Sequence, residues 1–467
     1  MNETPAASRS ILWRLVETIA ARIPWIIVAI GVVFLAAYLT AILGFPKSSG
    51  RIVFGDTTHY FVQLRSLVFD RDLQFQNEYM RLYGLDREMP EVEFIFTRRT
   101  ETGYVRNYMP IGPALLWAPL YLLFALIQSL LSLVGLAARP DGFGRAFQLV
   151  PGITGIAAAT MAAWESFRLA QRFSDRTSAA IATLAVWLGS HAIYYSLVSP
   201  SYSHAVSMLT GAWFFSYWLR TRDAMSTSRL VTLGALAGLC ALMRWQDAVF
   251  VVIPAIEGVM WRAPAKQRLL ALAGSAAACI AVFSPQCFVW QVLYGRAFAV
   301  PQGPFFMRWA SPHPWLVLFS SNHGLFIWAP ILVLSVWGLI RFGRTHRRLA
   351  PALAIVLLAS WYTNAAVADW WAGEAYGARR FLSLFALFVL GVAVWLQRSR
   401  AAAPIVLASG RRIAVAASLV VLNGMLLLQY QAFMKGLVAI APYPSGWFNM
   451  WVARFVVPVR LVAWWLS

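Results

Sequence analysis

The sequence predicts an all-α fold, a polytopic transmembrane helical bundle of about eleven spans whose large first outer loop carries juxtamembrane helices. Three observations predict it. Of 467 residues, 60% are hydrophobic and only 12% charged, about half the charged content of soluble domains, and mean hydropathy is +0.63. Apolar stretches of about bilayer length recur along the whole chain, as a fold must provide if every backbone polar group in lipid is satisfied inside a helix. The arginines cluster between those stretches, and no long polar region is left to form a soluble domain, so residues 1–467 read as one transmembrane domain.

The first span, near 24–44, follows Arg9, Arg14 and Arg22 and lacks a small-residue cleavage site, so it reads as a retained helix with a cytoplasmic N-terminus. The next segments lie near 146–168, 178–198, 204–220, 229–243, 246–261, 268–291, 324–341, 349–367, 380–397 and 412–432. Between them fall basic groups at Arg168/Arg172/Arg176, Arg220/Arg222/Arg229, Arg262/Lys266/Arg268, Arg341/Arg344/Arg347/Arg348 and Arg398/Arg400/Arg411/Arg412. Alternation puts all of these on the cytoplasmic side of an inner (plasma) membrane, as the positive-inside rule requires, and the C-terminus outside. The stretch 114–136 is apolar enough to cross, but counting it would turn every later arginine group outward. With Pro110, Pro113 and Pro119 interrupting a regular helix, it is assigned as juxtamembrane or re-entrant. The tail 431–467, with Trp447, Trp451, Trp464, Trp465, Arg454 and Arg460, suits an outer or interfacial helix.

The formal charge of +20 would indicate nucleic acid in a soluble protein. Here the basic residues are topological, and the outer loop 45–110 balances nine basic against nine acidic residues between Phe45 and Tyr108. Nucleic-acid binding is therefore excluded as the reason for the charge. Cys240, Cys279 and Cys287 fall inside apolar segments at no metal or disulfide spacing and read as packing residues.

The chemistry then belongs on the outer face. Gly55-Asp-Thr-Thr-His-Tyr60 places Asp56 at the start of a helix, where a carboxylate can take a hydroxyl proton or simply cap the helix. His59 and Tyr60 follow as candidate substrate-binding residues. Asp70 and Asp72 flank Arg71; they could hold a divalent cation, although a solvated turn suits them better and no metal is expected. Asn77 and Glu78 are placed to bind hydroxyls. Tyr108, beside Pro110 and Pro113, and His204, in Ser199-Pro-Ser-Tyr-Ser-His204, stand at the outer ends of apolar segments and could line a sugar pocket. Met243-Arg-Trp-Gln-Asp247 is an intramembrane polar cluster, costly unless it faces a cavity; Arg244 could fork onto a phosphate or pair with Asp247. In the loop Asp369 to Arg380, Trp371 and Glu374 could stack on or bind a sugar, and Arg379 and Arg380 could neutralise a lipid phosphate against the positive-inside trend.

On these residues the chain resembles the GT-C class of polyprenol-dependent glycosyltransferases, which includes protein O-mannosyltransferases and the aminoarabinose transferase of lipid A. The resemblance covers most of the chain. It rests on the early Asp in Gly55 to Tyr60, the Pro-rich return Tyr108 to Pro113, and the segments Pro200 to His204, Arg244 to Asp247, Phe319 to Pro330 and Trp370 to Arg380. It implies an inverting transfer from a polyprenyl-phosphate-linked sugar, the donor substrate, to a glycan, lipid or protein acceptor. Asp56 would be the general base, and Arg244 with Arg379 or Arg380 would stabilise the leaving lipid phosphate. The chain lacks the His-Pro-Pro motif of the O-mannosyltransferases and a soluble domain after the spans. A polytopic lipid or solute transporter is the alternative, and it would be expected to carry inverted repeats or paired broken helices, neither of which the sequence contains.

Overall fold

The computed structural model describes residues 11–44, 51–84, 97, 99–373, 375–397, 405–434 and 446–466. Among them the architecture is all-α: α1 (Ile11–Gly44), α2 (Asp56–Arg65), α3 (Gln76–Tyr83), α4 (Gly112–Leu133), α5 (Arg145–Ala170), α6 (Arg176–Leu188), α7 (Ser203–Arg220), α8 (Thr227–Met243), α9 (Val252–Met260), α10 (Ala265–Tyr294), α11 (Ile331–Thr345), α12 (Ala350–Ala365), α13 (Phe385–Leu396), α14 (Ile405–Met434) and α15 (Gly446–Leu466). Six stretches among the described residues, five within α1, α4, α5, α10 and α14 and a sixth, Arg379–Leu396, that ends in α13, are long and apolar enough to cross a membrane by length and composition. Large side chains such as Val33, Leu269, Phe288, Trp337 and Leu358 are exposed on these and neighbouring helices. A water-soluble fold would bury them; a lipid-facing belt leaves them out. The chain is an integral membrane protein.

Contacts between the turns show which helix ends share a side. At one end Arg176 donates to Ala20 O (2.8 Å), Arg220 pairs with Glu165 (3.0 Å), Arg222 lies over Phe173 (4.9 Å), Phe173 packs on Phe342 and His346, and Arg268 donates to Val259 O (3.0 Å). The basic turns therefore gather together. At the other end Ile52 donates to Gln148 Oε1 (2.8 Å), Thr57 bonds Ser201 (2.8 Å), Tyr294 donates to Asn107 O (2.9 Å) and Arg379 pairs with Asp56 (2.8 Å).

Several segments depart from the sequence expectation. The prolines do not interrupt 114–136: α4 is continuous, about 33 Å long at the usual rise, with Pro113 in its first turn and Pro119 accommodated inside. It nevertheless leaves and returns at one end of the bundle, because Tyr121 donates to Gly142 O (2.8 Å) and Gln128 to Ala138 O (3.1 Å) along its returning connection. The segment near 178–198 is a shorter helix, α6, closed at Gly189 and followed by a π-turn Tyr194–Val198. The segment near 246–261 opens with a 3₁₀ stretch Trp245–Val251, and that near 380–397 with another, Arg379–Leu384. These tightened starts belong to polar residues that must aim into the protein while the chain enters a helix.

Glycines set the closest helix contacts. A Cβ on Gly338 would meet Gly391 O at 1.7 Å, one on Gly155 would meet Pro200 O at 1.8 Å, and one on Gly211 would meet Ser383 O at 2.0 Å. In a membrane, where apolar burial between helices gains little, such close backbone approach is how helices gain packing. In the tail, α15 carries Arg454 fully buried with its guanidinium 4.3 Å from the Trp451 ring, so the tail helix is packed inward at that residue and not only interfacial.

Candidate functional site

Asp56 is positioned by its neighbour. Gly55 has φ 53° and ψ −139°, and a Cβ there would lie 2.4 Å from the Tyr202 hydroxyl, so glycine alone lets the chain turn into α2 at this spot. Asp56 is the first residue inside the helix, the cap is Gly55, and no side chain caps the end. The simple N-cap role is therefore not what Asp56 does: its Oδ2 accepts from Arg379 Nη1 at 2.8 Å, across 323 residues of sequence. The helix is held to the bundle by Arg51, which donates to Val53 O (2.7 Å) and Thr58 Oγ1 (3.0 Å), and by Asn107, whose Nδ2 donates to His59 O (2.8 Å).

Arg244 follows α8 in an extended conformation (φ −151°, ψ 119°), which turns its guanidinium away from the following 3₁₀ stretch. Its Nη1 donates to Ser203 Oγ (2.9 Å) and His204 Nδ1 (3.0 Å), and the Gln246 amide, with its oxygen toward the guanidinium, accepts at 2.6 Å. The Arg244–Asp247 pair is not formed: Asp247 is buried and accepts from Ser383 Oγ at 2.6 Å. Arg380 donates to Asp369 Oδ1 (2.8 Å) and to the Asp369 carbonyl (2.7 Å).

These groups converge on a cavity of about 600 Å³. Its polar lining is Asp56, Arg244, Gln246, Asp369, Arg379 and Arg380 with Tyr60 and Tyr108; its apolar lining includes Val249, Val300, Phe306, Met307, Trp309 and Val367. Part of the apolar lining is brought in by a short backbone pairing, Arg308 N to Ala366 O (2.6 Å) and Ala368 N to Phe306 O (2.8 Å), which lays residues 299–309 against the end of α12. Phe298 and Phe305, next to this segment's lining residues in sequence, are 70% and 85% exposed.

The sequence candidates divide accordingly. Asp56, Tyr60, Tyr108, Arg244, Arg379 and Arg380 line one cavity. His204 is buried behind Arg244, against Tyr195 (4.5 Å between rings), and positions the guanidinium without lining the cavity. His59 turns away: Nδ1 bonds Tyr79 Oη at 2.7 Å and burial lowers its pKa to about 4, so it is a neutral structural ring. Asn77 donates to Asp70 (2.6 Å), and Glu78 is fully buried on Arg65 (2.9 Å), which also pairs with Asp70. Asn77 and Glu78 thus tie α3 to α2 and do not reach the cavity. Asp72 accepts from Ser66 Oγ (2.6 Å) and Gln74 N (3.0 Å), a local turn separate from Asp70. Trp371 lies outside the cavity, packed edge-on to Trp370 with its carbonyl on His323 Nδ1 (2.7 Å). Glu374 lies outside the described residues. Among the described residues, no three His, Cys, Asp or Glu side chains gather as a metal site would need.

The chain matches no protein-family model. It matches no curated protein. Among solved structures it is similar to the crystal structure of ArnT from Cupriavidus metallidurans in the apo state, at 14% identity and a TM-score of 0.49, over 88% of this chain and 64% of that one. The chain thus spans less than two thirds of that protein's length.

Sequence reading missed Asp369 as a cavity residue and the whole 299–309 wall. For Asp369 the signal was present, a carboxylate eleven residues before Arg380 in a loop with two tryptophans. The wall gives no local signal, since Val300, Phe306 and Met307 look like any apolar loop residues until the pairing with residues 366–368 places them.

Proposed function

We propose that the chain is a membrane-embedded glycosyltransferase that moves a sugar from a polyprenyl-phosphate donor to an acceptor on the outer face, with inversion at the anomeric carbon. The observation that carries this reading is the cavity itself, whose lining joins two carboxylates and three guanidiniums to apolar side chains, with exposed aromatic residues next to the apolar segment in sequence. An amphiphile with a phosphate between a sugar and a hydrocarbon chain matches that division. The lipid lies along Val300, Phe306 and Trp309, the phosphate meets the arginines, and the sugar sits between them and Asp56.

Asp56 acts as general base. Its Oδ2 is held by Arg379, while Oδ1 makes no hydrogen bond among the described residues and can accept from an acceptor hydroxyl. Positive charge at the leaving oxygen stabilises the transition state more than the ground state, because the phosphate gains charge as the bond breaks. Tyr60 and Tyr108 bind sugar hydroxyls or stack on the ring. The resemblance to the GT-C class noted on the sequence agrees with this assignment of roles. Basic turns at the end opposite Asp56 support an outer-face placement of the site under the positive-inside rule.

The test is transfer by purified protein in nanodiscs, supplied with radiolabelled polyprenyl-phosphate-linked sugars and a total envelope extract as acceptor. The reading expects label to move from the lipid phase into an acceptor, with release of polyprenyl phosphate. Label that crosses the bilayer on an unchanged lipid would instead establish the transporter alternative.

A further inference from the structure

We propose that Arg379 changes partner during the transfer, from Asp56 to the departing phosphate, so that the charge of the cavity and its ligand stays constant; this deepens the glycosyltransferase reading and rests on it. Among the described residues five charged side chains line the cavity, Asp56, Asp369, Arg244, Arg379 and Arg380. Each carboxylate already has its own arginine, Arg379 on Asp56 and Arg380 on Asp369, both at 2.8 Å. Among the described residues Arg244 has only neutral hydrogen-bond partners, Ser203, His204 and Gln246. Asp247 is walled off on Ser383 and does not line the cavity. The resting cavity therefore carries one positive charge in excess, located on Arg244.

A sugar phosphodiester carries one negative charge and matches that excess. In the transfer, the acceptor hydroxyl gives its proton to Asp56 Oδ1 and its oxygen lone pair forms the bond to the anomeric carbon. The bond from that carbon to the phosphate oxygen breaks, and its electron pair stays on the phosphate, which becomes a monoester with a second negative charge. Asp56 is now neutral, and Arg379 loses its counter-charge in the same step in which the phosphate gains one. Total charge is the same before and after. A low-dielectric site favours such a balance, since an uncompensated charge there is costly.

Geometry singles out Arg379 over Arg380 for the exchange. Arg380 grips Asp369 twice, through its carboxylate and its backbone carbonyl. Among the described residues Arg379 holds Asp56 through one hydrogen bond, and its guanidinium lies 5.7 Å from the Tyr202 ring, a face on which it can swing without losing its cation–π contact. The same bookkeeping fits a monophosphate-linked donor better than a diphosphate-linked one, whose further charge would find no open guanidinium at rest.

Asp56→Asn stands in for the protonated base and makes the exchange measurable without turnover. The probe is farnesyl phosphate, titrated calorimetrically into protein in nanodiscs above about pH 7, where a phosphate monoester carries nearly two charges. Asp56→Asn, or Asp56→Ala should the first variant melt early, is expected to bind it at least about tenfold more tightly than wild type. That gain is expected to vanish in the double variant with Arg379→Gln, while farnesol binds all variants alike. Equal affinity of wild type and Asp56→Asn, or a gain that survives Arg379→Gln, overturns the exchange. Normal transfer by wild type with no gain in Asp56→Asn sinks the exchange and leaves the transferase reading standing; wild type that neither binds farnesyl phosphate nor transfers sinks both.

Discussion

Replacing Arg244 by Ala separates an anion-binding arginine from a structural one. The three groups it bonds, Ser203 Oγ, His204 Nδ1 and the Gln246 oxygen, are all neutral. Removing the guanidinium therefore strands no carboxylate, and the loss of its charge-assisted hydrogen bonds is offset in part because a charge no longer has to be buried. Had Arg244 paired with Asp247, the substitution would also leave a buried carboxylate uncompensated, at the roughly 3–5 kcal/mol typical of a broken buried ion pair. Ligand binding should respond more strongly than stability. A charge-assisted hydrogen bond to phosphate contributes about 1.5–3 kcal/mol, so losing one raises Kd roughly 10- to 150-fold. Arg244→Lys should recover part of that, since the charge remains while the fork geometry is lost. The assay is farnesyl phosphate titration paired with a melting curve in the same detergent. Unchanged Kd in Arg244→Ala with an intact melt would refute Arg244 as the anion site; a collapsed melt with unchanged Kd would make it a structural staple.

Further outcomes follow from the same contacts. Gly55→Ala should cost roughly 1–2 kcal/mol for its left-handed backbone alone, more for the approach to Tyr202, and should lower transfer by displacing Asp56 while farnesyl phosphate still binds; unchanged turnover would refute the positioning role of Gly55. Burial raises the Glu78 pKa from 4.5 to about 7 against the opposing effect of Arg65, so the folded state holds a proton that the unfolded state gives up, and this component of stability falls as pH rises from about 4.5 to 7. For His59, burial lowers the pKa from 6.5 to about 4, the unfolded state binds the extra proton, and its component of stability rises with pH between about 4 and 6.5. Melting curves of Glu78→Gln and His59→Gln against pH should change slope in opposite directions, and equal slopes would contradict both assignments. Cysteine labelling in sealed inverted and right-side-out vesicles should find Gly373→Cys and Ser174→Cys on opposite faces; labelling of both from one side would overturn the topology.

The sequence made the all-α membrane class legible because long apolar stretches set by bilayer thickness show in hydropathy regardless of how the helices pack. It could not resolve short helices followed by tightened turns, as at Tyr194–Val198 and Trp245–Val251, since hydropathy averages over both. At the site, Asp56 and Tyr60 share a face of α2 at i and i+4 and both reach the cavity. His59, one residue earlier, points about a quarter-turn aside into Tyr79. Nothing in Asn77-Glu78 distinguishes hydroxyl ligands from partners of Arg65, because the deciding contact joins two helices. The Arg244 conformation was likewise invisible: the spacing to Asp247 suits a helical i, i+3 pair, and the chain at Arg244 is extended instead. Asp56–Arg379 spans 323 residues, beyond any local pattern.

The central claim is that Asp56 takes the proton from the acceptor. Asp56→Asn keeps the shape and removes the acceptor of that proton, and the direct measurement is the rate of sugar transfer from a polyprenyl-phosphate donor by the purified variant in nanodiscs, alongside its melting curve and its affinity for farnesyl phosphate. Transfer is expected to fall roughly 100-fold or more, the scale of lost acid–base catalysis, with folding and lipid-phosphate binding retained. Near-normal transfer by a folded, ligand-binding Asp56→Asn protein would contradict the account.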